Sequence, residues 1–172
     1  DLVPLTRRMI SEQDVKEAKA GAEKSKRIYD KAMAELEKNP ELLNDIEWRK
    51  DPTRAWREVN RGKAVEERFY LQKVEPRYPA DLHVIRLGDM AFATSPFELY
   101  LDYGIQIKAR SSAVQTFVVE LANRPGSGYL PTARSVAGGA YGAVPASTNV
   151  GPEGGRDLVN WTVNTINDLM KD

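Results

Sequence analysis

The architecture of this chain follows from one stretch, which reads LHVIRLGDMAFATSPFELYLDYGIQIKARSSAVQTFVVEL and covers residues 82–121. Residues 82–87 and 90–94 are mostly apolar and flank a Gly-Asp turn, which predicts two strands. Residues 95–110 predict a helix, and the β-branched residues of 114–121 predict a third strand. This order of elements predicts a mixed α/β (α+β) fold, with helices packed on a mixed β-sheet.

The composition of the chain changes at about residue 76. Residues 1–76 are charged, helix-prone and poor in glycine, and they predict a helical layer with helices at about 12–38, 40–47 and 52–72. Residues 77–172 predict a strand-helix-strand core with glycine-rich loops and a C-terminal helix. The length of 172 residues fits a single domain or a fragment of one.

Composition also argues against several classes of function. The 25 basic and 25 acidic side chains balance, which argues against nucleic acid or an anionic membrane as the main partner. The sequence holds no cysteine, so it offers neither disulfides nor thiolate chemistry. No apolar run approaches the roughly 18 residues of a membrane span. The chain begins at Asp1 rather than Met, so we expect that something upstream has been removed or left out.

Histidine chemistry is limited to one residue. His83 is the only histidine, and its place in an apolar strand favours a satisfied core or edge histidine over a metal ligand. The chain alone therefore offers neither an ordinary His-rich or Cys-rich zinc site nor a full Ser-His-Asp set. Its glycine-rich segments match neither a Walker loop nor a dinucleotide-binding fingerprint.

Glu98 has both a structural and a functional interpretation. Ser95-x-x-Glu98 matches a capping box, in which Ser95 caps the Glu98 amide and Glu98 reaches back to the Ser95 amide. A carboxylate at a strand-to-helix junction is also well aimed into a cleft. The local pattern favours the cap, and the two roles do not exclude each other.

Two tyrosines and an asparagine near the glycine-rich loops are further candidates. Tyr129 follows Gly128 in a loop stiffened by prolines, and Tyr141 follows Gly139-Ala140. Each tyrosine is either an aromatic plug under a long loop or a phenol offered to a metal or an oxyanion, and the pattern leaves both open. Asn123 ends the third strand and is expected to organise the loop rather than to react.

Taken in order, these segments resemble the C-terminal part of the catalytic domain of the neutral (non-lysosomal) ceramidase family, in its bacterial-type relatives. The matching segments are LGD 87–89, SPFE 95–98, LAN 121–123, GYLPT 128–132 and GGAY 138–141. No single segment is specific, and the resemblance depends on their order and on the spacing from the glutamate to the two tyrosines. It covers the chain from about Leu82 to the end.

The resemblance implies a zinc-dependent amidase that hydrolyses the N-acyl bond of ceramide-like lipids. In that family zinc is held by two histidines, a glutamate and a tyrosine, and the last two match Glu98 and Tyr129. A second tyrosine, which contacts the reacting amide oxygen, matches Tyr141. The histidines lie in an earlier part of the family's domain. The resemblance therefore implies that this chain is the C-terminal portion of a larger hydrolase domain and is inactive in isolation.

The same resemblance suggests substrate contacts, partners and a location. Asn123, Gly128 and Gly139 fall in loops that are expected to approach the substrate. The implied partners are the remainder of the hydrolase domain and a lipid amide. The usual location of the family's members implies a secreted or periplasmic protein. This chain departs from its relatives in having Phe97 where many have glycine. It also lacks the acidic residue that follows the tyrosine matched by Tyr141, which leaves the substrate open.

Two other hypotheses compete with the zinc amidase. The first is a non-catalytic binding or interaction module of the same fold, in which Glu98 only caps a helix and both tyrosines only pack. The second is a hydrolase relative that acts on a different amide or ester. Glu98→Gln separates the amidase from the module, because a capping box tolerates glutamine whereas a metal site loses affinity. Substrate profiling separates the two hydrolases.

Overall fold

The computed structural model describes residues 1–122 and 127–171 of the chain. The chain divides into two compact units, one formed by Asp1–Met9 with Val74–Asp172 and the other by Ile10–Lys73. No helix in the described ranges is both long and apolar enough to cross a membrane.

The unit Ile10–Lys73 is built from two long helices. Helix α1 covers Glu12–Lys38 and helix α2 covers Ile46–Val74, with a 3-10 turn at Pro40–Asn44 between them. The predicted start of α1 is confirmed, because the Ser11 hydroxyl accepts the Asp14 N–H and the Asp14 carboxylate accepts the Ser11 N–H. Glycine is needed where α2 packs on α1 at residue 62, because a Cβ on Gly62 would lie 2.7 Å from the Cβ of Ala22.

The predicted boundaries of the second and third helices are wrong. Residues 40–44 form only the 3-10 turn, and α2 begins six residues before Pro52, at Ile46. The reason is an N-terminal helix cap at Asp45, which the sequence analysis overlooked because Asp51-Pro52 also matches a helix start. The Asp45 carboxylate accepts the N–H groups of Glu47 (2.9 Å) and Trp48 (3.2 Å), so the helix starts there and accommodates Pro52 in its interior.

In its described residues, the unit that holds the candidate site contains three small sheets and three helices. In chain order its elements are β1 Leu2–Thr6, β2 Arg77–Asp81, β3 His83–Leu87, β4 Met90–Thr94, β5 Glu98–Leu99, α3 Leu101–Arg110, β6 Gln115–Val119, β7 Tyr129–Leu130, α4 Ala133–Ala137 and α5 Pro152–Leu169. Strands β1 and β2 pair antiparallel, β3-β4-β6 is a mixed sheet, and β5 and β7 pair in parallel. The predicted mixed α/β fold is confirmed.

Helices α3 and α5 cover one face of the mixed sheet. Ala91 and Ala93 of β4 are buried in the same core cluster as Ile107 of α3 and Ile166 of α5. The opposite face carries a cross-strand row of Ile85, Phe92 and Phe117, in which the two phenyl rings stack at 4.7 Å. Ile85 and Phe117 on that face are exposed.

The prediction of a helix beginning at Ser95 is wrong, and this error bears directly on the site. Helix α3 begins at Leu101, and the chain from Ser95 to Leu99 stays extended. The Ser95 hydroxyl accepts the N–H of Phe97 (3.2 Å) rather than that of Glu98. Glu98 instead donates its N–H to the carbonyl of Gly128 (3.1 Å), because the segment pairs with β7. The capping-box interpretation of Glu98 therefore fails.

Candidate functional site

The pairing of β5 with β7 brings two of the predicted site residues together. Glu98 and Tyr129 are opposite each other in the parallel register of these strands, followed by Leu99 opposite Leu130. Side chains alternate along a strand, so the burial of Phe97, Leu99 and Leu130 turns the Glu98 side chain outward. The apolar core thus fixes the direction in which the carboxylate points.

Gly128 sets the register of this strand pair. Its carbonyl accepts the Glu98 N–H, and its backbone has a φ of 81°, a left-handed conformation that favours glycine. A Cβ at Gly128 would also lie 2.5 Å from the carbonyl oxygen of Ser147. The sequence predicted that Gly128 contacts substrate. Its contacts within the chain give it a structural role, which is to allow Tyr129 to lie opposite Glu98.

The second predicted tyrosine lies against the first. Tyr141 begins a 3-10 turn at Tyr141–Ala143, and its ring meets that of Tyr129 edge-on at a centroid distance of 6.0 Å. Tyr141 is 75% exposed, so its hydroxyl is open to a ligand. Glu98, Tyr129 and Tyr141 therefore form one group at the surface.

Gly142 and Tyr100 belong to the same group, and the sequence reasoning missed both. A Cβ on Gly142 would lie 2.7 Å from two ring carbons of Tyr129 and 3.1 Å from the Tyr100 hydroxyl. The turn after Tyr141 is therefore pressed against the Tyr129 ring. Tyr100 lies two residues after Glu98, so in an extended segment its side chain is on the same side as that of Glu98. The predicted helix from Ser95 hid this relationship.

Glu120 is a second carboxylate at the site, also missed from the sequence. It follows β6 directly, and its Oε2 accepts the N–H of Leu99 at 3.1 Å. The available signal was a single acidic residue directly after a strand rich in β-branched residues.

The environment of Glu98, Tyr129 and Glu120 disfavours the addition of further negative charge. The pKa of Tyr129 is raised, first by loss of solvent and then by its hydrogen bond to Glu98 and the charge of that carboxylate. The pKa of Glu120 is also raised, first by desolvation and in part by the charge of Glu98, while the Leu99 N–H acts in the opposite direction. A bound cation would oppose the effect of the Glu98 charge on the pKa of Tyr129.

The remaining residues named from the sequence are Asn123, Gly139 and His83, none of which the described structure places in this group. Asn123 lies outside the described residues. Gly139 follows the end of α4 with a φ of 66°, and a Cβ there would meet nothing within 4 Å. Its left-handed conformation ends the helix, as glycine commonly does. His83 is exposed on the edge strand β3 and is bonded to Asp81 at 2.9 Å, which confirms the expectation of a satisfied edge histidine.

The described residues supply a small set of oxygen donors rather than a complete metal centre. Across residues 1–122 and 127–171, no group of three or more His, Cys, Asp or Glu side chains is arranged to hold a metal ion. No protein-family model, curated protein or solved structure matches this chain.

Proposed function

We propose that this chain is part of a zinc-dependent amidase that hydrolyses the N-acyl bond of ceramide-like lipids. Glu98 and Tyr129 would be two of the metal ligands, and Tyr141 would contact the reacting amide oxygen. The remaining ligands, two histidines, would come from the remainder of the hydrolase domain.

The observation that carries this proposal is the pairing of Glu98 with Tyr129. Opposite residues on neighbouring strands have backbones about 4.8 Å apart, and side chains on the same face point the same way. Two oxygen donors in this relationship are suited to a shared cation. The failure of the capping box adds support, because it removes the main structural explanation for Glu98.

The donor chemistry fits zinc in part. Zinc accepts carboxylate oxygens and is usually four-coordinate, so two ligands leave a catalytic site half built. Tyr129 keeps its proton near neutral pH when no cation is present, since its pKa is raised, and it would have to lose that proton on ligation. Zinc, when bound, would polarise the amide carbonyl and lower the pKa of a water molecule.

The residues of this chain would then bind and orient the reacting amide. Tyr141 has an exposed hydroxyl at the edge of the Tyr129 ring and would donate a hydrogen bond to the amide oxygen as negative charge develops there. The turn at Tyr141–Ala143 would fix the relative position of the two phenols, because Gly142 packs on the Tyr129 ring.

Cobalt binding tests the proposal without the missing half of the domain. Imidazole in solution would stand in for the two absent histidines, and Co²⁺ would report four-coordinate binding through its visible absorbance. We expect the four-coordinate spectrum with the wild-type chain and its loss in Glu98→Gln and in Tyr129→Phe. Glu153→Gln, which removes an exposed carboxylate elsewhere, is the matched control and should behave as wild type. Equal cobalt binding by wild type and Glu98→Gln would contradict the proposal.

The exposed sheet face favours the competing hypothesis of a non-catalytic interaction module. Ile85 and Phe117 present apolar surface next to the stacked Phe92 ring, as a surface that meets another protein often does. A module of this kind would bind its partner equally well after Glu98→Gln. A hydrolase acting on a different amide or ester would keep the cobalt response but hydrolyse another substrate when the full domain is assayed.

A further inference from the structure

We infer that Glu120 is a positioning residue for the Glu98–Tyr129 pair, acting through its hydrogen bond to the Leu99 amide. The inference rests on the proposed function, since it assigns a second carboxylate to the same site. Glu120 does not need to touch a metal ion or a substrate for this role.

The geometry of β5 supports this role. This strand has only two residues, and one edge is held by β7 through the bonds from Glu98 N–H to the Gly128 carbonyl (3.1 Å) and from Tyr100 N–H to the Leu130 carbonyl (3.2 Å). The Leu99 N–H lies between these two donors and points to the other edge, where its acceptor is the Glu120 carboxylate. A strand this short depends on both edges, because two residues form few bonds of their own.

The backbone around Glu120 is arranged to reach this edge. The carbonyl of Val119 accepts the Ser95 N–H (2.8 Å), and the Leu121 N–H donates to the Phe97 carbonyl (3.3 Å). These bonds hold residues 119–121 alongside the segment that leads into β5. Glu120 therefore stays within reach of the Leu99 amide.

Leu121 adds a sign of local strain. Its φ of 54° is left-handed, and it is the single non-glycine residue with a positive φ in the described ranges 1–122 and 127–171. A bulky residue rarely adopts this conformation, and Leu121 is 65% exposed, so burial of its side chain does not explain it. The bend is consistent with a requirement to aim Glu120 at β5.

Amide exchange and tyrosine ring signals test this inference by nuclear magnetic resonance. In Glu120→Ala, we expect exchange of the Leu99 amide to rise about tenfold, as for the loss of a hydrogen bond to a charged group, and the Tyr129 ring signals to shift. Glu120→Gln keeps an acceptor for the amide and should restore both readouts. Asp168→Ala, which removes an exposed carboxylate on α5, is the control and should change neither.

Each outcome bears on the inference separately from the proposed function. Unchanged Leu99 exchange in Glu120→Ala would overturn it, and so would faster exchange without any change at Tyr129. If the alanine variant does not fold, Glu120→Asp serves in its place, because the shorter side chain keeps the charge but withdraws the acceptor. Neither readout needs a metal, so a failure of the wild-type chain to bind cobalt would count against the amidase and not against the positioning role.

Discussion

Gly142 lies against the ring of Tyr129, so closely that a Cβ on Gly142 would come within 2.7 Å of two ring carbons. Real Cβ atoms do not approach that closely, so an added methyl group must displace either the ring or the turn at Tyr141–Ala143. The position of the Tyr129 ring, a candidate metal ligand, therefore requires a residue without a side chain at position 142.

We therefore expect Gly142→Ala to destabilise the fold by about 1–3 kcal/mol through overpacking and to shift the Tyr129 ring signals. Urea unfolding and nuclear magnetic resonance measure the two effects. Gly104→Ala is the matched control, because a Cβ there meets nothing within 4 Å. In the interior of α3 it should stabilise the chain by about 0.5–1 kcal/mol. Equal stabilities of the two variants would show that the turn yields without cost.

Glu98→Gln should lower the pKa of Tyr129. Folding raises this pKa, and the hydrogen bond to Glu98 and its charge contribute to the rise after desolvation. Removing the charge lowers the cost of forming phenolate, so Tyr129 should ionise at a lower pH while staying above its ordinary value. Ultraviolet titration of phenolate measures this, with the Tyr129→Phe titration subtracted to remove the other six of the seven tyrosines. An unchanged Tyr129 titration would mean that the two side chains do not interact in solution.

The elements that the sequence predicted well are those with local causes. The strands at His83–Leu87 and Met90–Thr94 are defined by apolar residues around a tight turn, and the start of α1 by Ser11 and Asp14. These patterns need no partner elsewhere in the chain. The predicted site residues Glu98, Tyr129 and Tyr141 also lie together, although their roles stay predictions.

The error at Ser95 has a non-local cause, whereas the wrong start of α2 comes from the local cap at Asp45. Ser95-x-x-Glu98 has the local signature of a helix start, but the bonds from β5 to β7 join residues far apart in the chain and keep the segment extended. Other long-range contacts bring Glu120 to the Leu99 amide and Gly142 to the Tyr129 ring. Periodicity and capping patterns carry no information on such contacts, which is why these two residues were missed.

Gly128→Ala should disrupt the site by altering strand register. Alanine is strained at a φ of 81°, and its Cβ would lie 2.5 Å from the Ser147 carbonyl oxygen. We expect a loss of stability of about 2 kcal/mol or more, together with loss of the cobalt response. Gly21→Ala, in the exposed part of α1 where a Cβ meets nothing, is the control and should be neutral or stabilising. Retention of both stability and cobalt binding in Gly128→Ala would show that the β5–β7 pairing tolerates a shift.

The buried Tyr103 hydroxyl gives the fold a pH dependence that a single substitution can isolate. This hydroxyl donates to the carbonyl of Pro131 (2.8 Å), and burial raises the pKa of Tyr103 to about 12. The protonated form is favoured in the folded state, so its contribution to stability is fully present below the unfolded pKa of about 10 and is lost as pH rises toward 12.

At pH 8, Tyr103→Phe should be less stable than wild type by about 1–3 kcal/mol, because the Pro131 carbonyl loses its donor inside the core. The difference should shrink as pH rises above about 10, since only the wild type has a buried phenol to deprotonate. Urea unfolding of both proteins between about pH 8 and 11 measures it, and taking the difference cancels the other groups that titrate in this range. A constant difference across the series would mean that Tyr103 does not ionise on unfolding in this window and that its environment is more polar than its burial implies.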